Sequence, residues 1–484
     1  MVRNIRELEG IERIHLMGIG GAGMSALALL LSGSGFDVSG CDLSRSEYAA
    51  ILGARKIECV AGHSPSHAER FSPQLAVYSS AIDPGHEELV ALRTAGAKTE
   101  GRGRVLSWLF NAHRGIGVAG AHGKSTTSSM IALILERAGC DPTVAVGAEI
   151  RDIGVNACCG KSDLFVAEID ESDGSFEFFS PAVTAITNVD WDHVNYFHTR
   201  QDVLDAFIRF ARGRRPGTPL VVCAEDEGTQ SLIAAVKEAD PREGENIVTC
   251  GWGKSWTWGA FDLVRKKGGG VVFSVAREGQ DLGRMELAVS GDHNVMNALV
   301  ACAVASSLDV PFESVLGTLR EFRGARHRLQ KVGRSALLEV DVVDDYGHHP
   351  AEISATLSAM RDIYPEERLV VVFQPHRHTR TSAFYRQIAS SLETADVTLL
   401  LPVYSAGEKP TSDISSRDIC EIMEKDGARC ALCRDEEEAL SRLDSILRRG
   451  DVLLTLGAGS ISHLGEAWLE AGRKKTTDFR KDIL

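Results

Sequence analysis

The fold of this chain is decided by residues 115–126, which read Gly115-Ile-Gly-Val-Ala-Gly-Ala-His-Gly-Lys-Ser-Thr126. The first four residues have the pattern of a buried strand, and a helical stretch from about Ser128 to Arg137 follows. In such a turn the loop amides and Lys124 surround the β- and γ-phosphates, and the Ser125 hydroxyl is suited to Mg²⁺. Val118 occupies the first glycine position of the strict motif. The remaining motif still predicts an ATP or GTP loop made of Gly120, Ala121, His122, Gly123, Lys124, Ser125 and Thr126.

A second glycine-rich turn lies near the start of the chain, after the predicted strand Arg13 to Met17. It reads Gly18-Ile-Gly20-Gly21-Ala-Gly23 and leads into the helix-forming residues that begin at Met24. Its glycines allow a diphosphate to sit on backbone amides at the positive end of a helix. Asp42, about twenty residues further on, stands where a nucleotide-binding fold often places a carboxylate for ribose hydroxyls. The spacing fits a dinucleotide and a nucleotide sugar equally well.

Carboxylates and a histidine follow the next two predicted strands. The run Glu168-Ile-Asp-Glu-Ser-Asp173 ends one strand, and Asp192-His193 lies shortly after the other. Both stretches fall at the carboxyl ends of predicted parallel strands, the edge where open α/β sheets place ligands. An acidic run is also compatible with a solvated turn. Beside a phosphate loop it predicts a Mg²⁺ site, with Ser125, His193 and one of the carboxylates, Glu168 among them, as candidate ligands.

Short Val- and Ile-rich runs alternate with helical patterns along the whole chain, which predicts an α/β protein with largely parallel sheets. The 484 residues suit about three domains at ~150 residues each. We expect a Rossmann-like N-terminal domain over 1–112 and a P-loop ATPase-like central domain over 113–322. A Rossmann-like C-terminal domain is expected over 323–484, with one strand at Ala336–Val340. Lys254 to Arg284 predicts a small antiparallel extension of the central domain.

Composition narrows the class of protein and its expected location. The formal net charge is −14, which argues against nucleic acid or an anionic membrane as the main partner. No apolar run reaches the ~18 residues of a membrane span, and the charged start from Met1 to Gly10 does not resemble a signal peptide. Eleven scattered cysteines are typical of a reducing compartment. We therefore expect a cytoplasmic protein, and the Cys430/Cys433 pair has no partner pair at zinc-site spacing.

Histidines and arginines are concentrated after two predicted strands of the last domain. The first group is Tyr346-Gly-His348-His349, and the second is His376-Arg377-His378-Thr-Arg380. Four histidines on neighbouring strand ends would suit zinc. Arg377 and Arg380 add positive charge where a metal ion needs the opposite, and their guanidinium groups suit a small carboxylate.

Taken together and in this order, the two glycine loops, the acidic run and the Asp192-His193 pair resemble the Mur ligase family. These are the ATP-dependent amide-forming enzymes of peptidoglycan precursor synthesis. The resemblance runs from about His15 to Gly465. Gly291-Asp-His-Asn294-Val-Met-Asn297-Ala298 resembles the adenine-contacting helix of the family, and Arg328 stands at a position expected to reach phosphate.

The resemblance implies ATP and Mg²⁺ as cofactors, UDP-N-acetylmuramate and L-alanine as substrates, and a monomer or weak homodimer. It implies that Asn294, Asn297, Arg328 and Asp345 contact the nucleotide. Catalytic roles are expected for Lys124, His193, Arg328, His348 and Arg380. Residues expected to bind the two other substrates are Gly18, Gly20, Gly21, Gly23, Met24, Asp42, Ser79, Ser80, Arg102, Tyr346, His348, His376, Arg377 and Arg380.

Several alternatives stay open on the sequence alone. An NAD-linked oxidoreductase would use the first loop and Asp42 but leave Lys124 without a role. A non-catalytic P-loop switch would use Lys124 but not the histidines and arginines of the last domain. A muropeptide-recycling ligase shares much of the pattern. Glycine and L-serine would make demands on the site similar to those of L-alanine.

Overall fold

The computed structural model describes residues 5–43, 48–172, 174–410 and 413–481, with side chains described as far as residue 473. Asp173 of the predicted acidic run and residues 1–4 at the start of the chain lie outside these ranges. Within them, three sheets follow one another along the chain, and each is mostly parallel. This arrangement confirms the predicted three-domain α/β class.

The first sheet has five parallel strands in the order β3-β2-β1-β4-β5. The strands are β1 (Arg13–Met17), β2 (Asp37–Asp42), β3 (Glu58–Ala61), β4 (Leu75–Tyr78) and β5 (Lys98–Gly101). The helices are α1 (Ala22–Gly33), α2 (Ala49–Ala54), α3 (His67–Phe71), α4 (Glu87–Thr94) and α5 (Arg102–Asn111). Helix α1 is apolar almost all round, because it packs between its own sheet and the edge of the next one.

The second sheet has ten strands in the order β15-β14-β13-β12-β11-β10-β6-β9-β7-β8. The strands are β6 (Arg114–Ala119), β7 (Thr143–Ile150), β8 (Val155–Cys158), β9 (Leu164–Glu168), β10 (Val183–Ile186), β11 (Leu220–Cys223), β12 (Ile247–Trp252), β13 (Trp258–Arg265), β14 (Val271–Arg277) and β15 (Gln280–Leu287). The last three form the predicted antiparallel extension. Its helices are α6 (Lys124–Arg137), α7 (Arg200–Arg212), α8 (Glu227–Ala239), α9 (Pro241–Gly244), α10 (Asp292–Ser306) and α11 (Phe312–Glu321).

The third sheet has six strands in the order β16-β17-β21-β18-β19-β20, and only β16 pairs antiparallel. The strands are β16 (Gln330–Arg334), β17 (Asp341–Asp345), β18 (Leu369–Phe373), β19 (Val397–Leu400), β20 (Cys430–Leu432) and β21 (Val452–Leu456). The helices are α12 (Pro350–Ile363), α13 (His378–Leu392), α14 (Ser416–Lys425), α15 (Glu436–Ile446) and α16 (Leu464–Lys481). No helix in the described part of the chain is both long and apolar enough to cross a membrane.

Two local predictions were wrong. The strand expected at Ala336–Val340 is the loop of a hairpin, closed by the Ser335 amide on the Val340 carbonyl at 2.9 Å, and Leu337 is exposed. The strand itself follows as β17. Helix α6 begins at Lys124 and not near Ser128, so the Lys-Ser-Thr of the phosphate loop already forms its first turn.

Candidate functional site

A cavity of about 730 Å³ lies where the three sheets meet. Its walls come from the carboxyl-end loops of all three, the edge where parallel α/β sheets present their ligand-binding groups. The predicted residues that line it are Gly20, Gly21, Gly23, Met24, Ser79, Ser80, Arg102, Ala121, His122, Gly123, Lys124, Ser125, Glu168, His193, Arg328, Tyr346, His348, His376, Arg377 and Arg380. Side chains far apart in sequence are thus collected around one space.

The phosphate loop joins β6 to α6 and is held from below by the residues that follow β10. Gly120 has a φ of +142°, and a Cβ there would lie 1.9 Å from the Thr187 hydroxyl. Asn188 braces the loop with both ends of its amide, because its Oδ1 accepts from the His122 amide and its Nδ2 donates to the His122 carbonyl, both at 2.9 Å. The loop amides are therefore fixed at the positive end of α6, where an anion is stabilised.

The Lys124 ammonium has a carboxylate partner in this structure. Its Nζ donates to Glu171 Oε2 at 2.9 Å and to the Gly120 carbonyl at 2.5 Å. Burial alone would lower the pKa of Lys124, but Glu171, with Asp170 and Glu168, raises it above its usual range. Lys124 is thus a fixed positive charge at the mouth of the loop.

The predicted metal ligands lie beside this pair. Asp170, Glu171 and His193 offer ligand atoms within 4.8 Å of one another. Glu168 is held by the Gly147 amide at 2.7 Å, and His193, with a φ of +51°, lies 3.4 Å from Glu171. Burial lowers the pKa of His193, but Glu171 outweighs this and raises it. Carboxylate and hydroxyl oxygens with one imidazole are a donor set that fits Mg²⁺.

A second cavity of about 520 Å³ lies between the central and third sheets. His122, Gly123, Arg328 and Glu352 line both cavities and form a common wall between them. Four further predicted residues line only the second cavity: Thr126, Asn294, Asn297 and Asp345.

The two asparagines lie on the first two turns of α10 and are nearly fully buried. Asn297 accepts from the Thr127 hydroxyl at 3.1 Å and donates to Asn294 at 3.1 Å. Asp345, at the end of β17, accepts from the Leu329 amide at 2.7 Å and from the Thr356 hydroxyl at 2.9 Å. These bonds set the shape of a pocket next to the phosphate loop, with its polar groups already fixed in place.

The first glycine loop lies between the large cavity and a smaller one of about 500 Å³. Gly18, Asp42 and His63 line the smaller cavity together with residues of the third domain, among them His463. The Gly20 amide donates to Asp42 Oδ2 at 2.9 Å, so the predicted carboxylate is held against the glycine loop. Ser79 lines both cavities.

The two arginines predicted for a small carboxylate have protein carboxylates as partners in this structure. Arg380 forms a buried two-point pair with Asp192, with Nε–Oδ1 at 2.8 Å and Nη2–Oδ2 at 3.0 Å. Arg377 donates from Nη1 to Glu408 at 3.0 Å. The Arg380–Asp192 pair links the third domain to the central one, a role that the sequence did not reveal.

Two histidines of the third domain, His348 and His376, are kept neutral by their surroundings. Burial, followed by the charge of Arg380, lowers the pKa of His348 to about 3. Burial together with His348 and Arg380 lowers the pKa of His376 to about 2. Among the described residues, neither belongs to a group of three side chains placed to hold a metal ion. The same holds for Cys430 and Cys433.

Three residues of the site were missed as site residues by the sequence reasoning. Neither Glu171, within the acidic run, nor Asn188, just after β10, was assigned a role. Glu352 was not singled out at all. It accepts from the His348 and His349 amides at 3.1 and 3.2 Å and lies 3.4 Å from Arg328. The available signal was its position, because a Glu three residues after a helix cap is typical of a capping box.

The site combines two glycine-rich loops, each leading into a helix, with a histidine–arginine edge on the third sheet. This edge consists of His348, His376, Arg377 and Arg380. Together these features define an enzyme that binds nucleotides across several domains. Sequence profiles agree with this class along most of the chain. Residues 13–114 match the profile "Mur ligase family, catalytic domain", residues 118–305 the Mur ligase middle domain, and residues 327–459 "Mur ligase, glutamate ligase domain". The chain belongs to the Mur ligase family.

Individual relatives span nearly the whole chain. A UDP-N-acetylmuramate–L-alanine ligase of Dictyoglomus turgidum is 40% identical over 96% of this chain and 97% of its own length. One of Aquifex aeolicus is 38% identical over 96% of this chain and 98% of its own. The solved UDP-N-acetylmuramate-alanine ligase of Thermotoga maritima has a TM-score of 0.81 at 28% identity, covering 96% and 99% of the two chains. These relatives do not favour an oxidoreductase or a recycling ligase.

Proposed function

We propose that this chain is an ATP-dependent ligase that joins L-alanine to the carboxylate of UDP-N-acetylmuramate, through an acyl phosphate, in peptidoglycan precursor synthesis. The observation that carries the proposal is the cavity of about 730 Å³, which collects the first glycine loop, the phosphate loop and the histidine–arginine edge around one space. A reaction of three substrates needs all three groups within reach of each other. The full-length similarity to ligases of this name supports the choice of substrates.

The first step activates a carboxylate, which is a poor electrophile because its oxygen is a poor leaving group. A carboxylate oxygen of the muramyl group attacks the γ-phosphorus of ATP, the bond to the β-phosphate oxygen breaks, and ADP leaves. Lys124 and the loop amides stabilise the charge on the phosphoryl oxygens. For this, Lys124 must exchange its contact with Glu171 for one with phosphate.

Mg²⁺ fits the donor set around the acidic run, and we propose Ser125, Glu168 and His193 as its ligands. When bound, it neutralises charge on the transferring phosphoryl group. Asp170 and Glu171 are close enough to His193 to orient the site, and we assign them that positioning role.

The second step forms the amide. The free amine of L-alanine attacks the acyl carbonyl and a tetrahedral intermediate forms. The bond between the acyl carbon and the phosphate oxygen then breaks, and the proton lost by the nitrogen leaves with the expelled phosphate. Arg328 and Arg380 stabilise developing negative charge. His348 is neutral, and its Nδ1 lies 3.0 Å from the Tyr346 carbonyl. With the proton on Nδ1, its Nε2 keeps a lone pair that accepts a hydrogen bond from the amine.

We propose a division of labour between the domains, with 1–112 for the UDP-sugar, 113–322 for ATP and 323–484 for L-alanine. In the first domain the diphosphate lies on Gly18, Gly20, Gly21 and Gly23. The remaining contacts of the sugar nucleotide come from Met24, Asp42, Ser79, Ser80 and Arg102. In the third, Tyr346, His376, Arg377 and His348 surround the amino acid. We propose the cytoplasm as the location, where the two nucleotide substrates are available, and the monomer or weak homodimer stays a prediction.

The test is a screen of phosphate release with ATP, Mg²⁺ and UDP-N-acetylmuramate against single amino acids. We expect release with L-alanine at a kcat/KM above those for glycine and L-serine. Mixtures without the sugar nucleotide serve as the control and should stay at background. If no amino acid gives release above that background, the proposed function is wrong. Preferred use of a preformed peptide would instead identify a recycling ligase.

A further inference from the structure

A second cluster of reactive side chains lies inside the first domain, outside the cavity that the proposed reaction uses. Its members are His15 on β1, Cys41 on β2, His67 on α3 and Glu88 on α4, and all four are buried. Each offers one ligand atom, and these atoms lie within 4.8 Å of one another. Two imidazoles, a thiol and a carboxylate gathered from four separate elements are a combination that apolar packing does not require.

The contacts within the cluster converge on a single oxygen. Glu88 Oε1 lies 3.1 Å from His15 Nε2, 2.9 Å from His67 Nδ1 and 3.2 Å from Cys41 Sγ. A carboxylate oxygen has two lone pairs, so three donors exceed what it accepts with good geometry. The other oxygen, Oε2, accepts from the Ser64 amide at 2.8 Å and lies 3.5 Å from Cys41 Sγ, so the thiol is shared between both carboxylate oxygens.

The same four atoms have the spacing of ligands around a cation. Zinc bonds to nitrogen, oxygen and sulfur are about 2.0–2.3 Å long, so neighbouring ligand atoms of a tetrahedral site stand about 3.3–3.7 Å apart. The three contacts to Glu88 Oε1 are shorter than this by only a few tenths of an ångström. We propose that His15, Cys41, His67 and Glu88 form a structural binding site for a divalent transition-metal ion of the zinc type.

The surroundings of the cluster support this assignment. A metal-bound histidine usually has a partner on its second ring nitrogen, and His15 Nδ1 lies 2.9 Å from the Ser39 hydroxyl. The His15 ring also stacks on Phe71 at 4.8 Å. His63 approaches from the cavity side, with its Nδ1 3.0 Å from Cys41 Sγ. The ligands are therefore oriented by neighbours that do not themselves have to bind the metal.

Charge balance also favours a metal. A zinc-type ion binds cysteine as the thiolate, so the Cys41 proton is released to solvent on binding. The Glu88 carboxylate, the Cys41 thiolate and one dication then leave the buried site neutral.

A metal ion bound at this site would stabilise the part of the first domain that carries the first glycine loop. The Gly18 and Ile19 amides both donate to the Cys41 carbonyl, at 2.8 and 3.1 Å, and Asp42 is the next residue. A metal ion that fixes Cys41 thus fixes the turn between β1 and α1. This inference does not depend on the reaction proposed above, because it concerns residues that line neither of the two large cavities.

The test uses the full-length chain stripped of metal and then titrated with Zn²⁺ or Co²⁺. Excess Mg²⁺ is kept present to occupy the oxygen-rich site near His193. We expect one metal ion per chain to be retained after gel filtration. With Co²⁺ we expect a thiolate-to-cobalt charge-transfer band in the near ultraviolet, together with intense visible bands of tetrahedral cobalt. A rise in Tm on Zn²⁺ addition should accompany binding.

Matched variants separate this site from other cysteines. Cys41→Ser should abolish the charge-transfer band and weaken Zn²⁺ binding about 10²-fold or more. Cys59→Ser, which changes an exposed cysteine on the adjacent strand, should retain both. The proposal is overturned if the folded parent chain retains no Zn²⁺, or if its cobalt complex lacks the thiolate band. It also fails if a folded Cys41→Ser variant keeps that band. If Cys41→Ser does not fold, the same comparison is made with His67→Asn, which should lose the retained metal.

Discussion

At the scale of single residues, Lys124 is the group on which we expect the proposed first chemical step to depend most. Its ammonium is held by Glu171 and by the loop carbonyls, so it is positioned before any phosphate arrives. We predict that Lys124→Ala lowers kcat by at least about 10²–10³-fold, the usual loss when one preorganised donor to a transition-state anion is removed. The measurement is steady-state phosphate release at saturating substrates.

The matched control for this prediction is Lys161→Ala, which removes an exposed lysine of the same domain. It should leave kcat within twofold of the parent. Circular dichroism and Tm must show that the Lys124→Ala variant is folded. An unchanged kcat in that folded variant would contradict the assignment of the loop.

A second residue-scale prediction concerns acid stability. Burial and nearby positive charge lower the pKa values of His348 and His376 to about 3 and 2, from an ordinary value of 6.5. Below pH 6.5 the unfolded chain therefore binds protons that the folded chain does not. The free energy of unfolding consequently decreases as the pH is lowered. Each group contributes up to about 1.4 kcal/mol per pH unit.

The free energy of unfolding, measured by denaturant titration between pH 6.5 and 4.5, should therefore fall less steeply in the His348→Gln/His376→Gln variant than in the parent. His198→Gln, which removes an exposed imidazole, is the control. Identical slopes for the parent and the double variant would show that these two imidazoles are not buried in neutral form.

At the scale of elements, the two ends of α6 offer a clean comparison. Gly120 precedes the helix with a φ of +142°, and a side chain there meets Thr187. Gly139 follows the helix with a φ of +79° and open space around it. We predict that Gly139→Ala costs only about 1–2 kcal/mol of stability through left-handed strain. Gly120→Ala should lose ATP binding as well, because the loop must move away from Thr187.

The readouts for this pair are Tm and ATP affinity by calorimetry. Retained ATP affinity in Gly120→Ala would mean that the loop tolerates displacement, and the clash argument would then be wrong. A loss of ATP affinity in Gly139→Ala would show that strain at the far end of α6 reaches the loop. The predicted contrast between the two glycines would then be wrong.

Comparison of sequence and structure shows which elements are locally encoded. Strand β1 agrees with the predicted Arg13 to Met17, and β6 extends the predicted Gly115 to Val118 by one residue at each end. Parallel strands that are buried on both faces are largely apolar, so a local pattern is enough to find them. The pattern failed at β17, which carries three aspartates. These are buried because the fold supplies distant donors, such as the Thr455 hydroxyl 2.6 Å from Asp344. A local pattern does not contain that partner, so the apolar stretch before it was chosen instead.

The residues of the site also divide into those that the local sequence predicts and those that depend on distant partners. Loop residues such as Lys124 were predictable because the motif is contiguous and its chemistry is local. The ion pairs could not be predicted, because Arg380 and Asp192 are separated by 188 residues and Lys124 and Glu171 by 47. Which carboxylate meets which cation depends on how the domains dock, and that information is spread over whole interfaces.

At the scale of the whole molecule, the buried Arg380–Asp192 pair is one of the contacts that tie the third domain to the central one. Removing one member of such a pair leaves an uncompensated charge and costs about 3–5 kcal/mol, whereas replacing both by apolar groups is often neutral. We predict that Asp192→Asn and Arg380→Met each loosen the docking of the third domain. The measurements are the radius of gyration by small-angle X-ray scattering and the rate of limited proteolysis.

The double variant Asp192→Leu/Arg380→Met should regain compactness and protease resistance while remaining inactive, since Arg380 belongs to the proposed site. Exposed Arg434, just before α15, pairs with Glu438 of that helix, and Arg434→Met is the control that should alter neither readout. Single variants as compact and as resistant as the parent would show that other contacts hold the domains together.

The wall shared by the two large cavities has a consequence for inhibitor design. His122, Gly123, Arg328 and Glu352 line both cavities, so the two spaces are direct neighbours. A compound with one arm in each cavity, joined across this wall, would meet its second binding site at a high effective concentration once the first arm is bound. Its avidity would then exceed the affinity of either arm alone, provided that the linker spans the wall without strain.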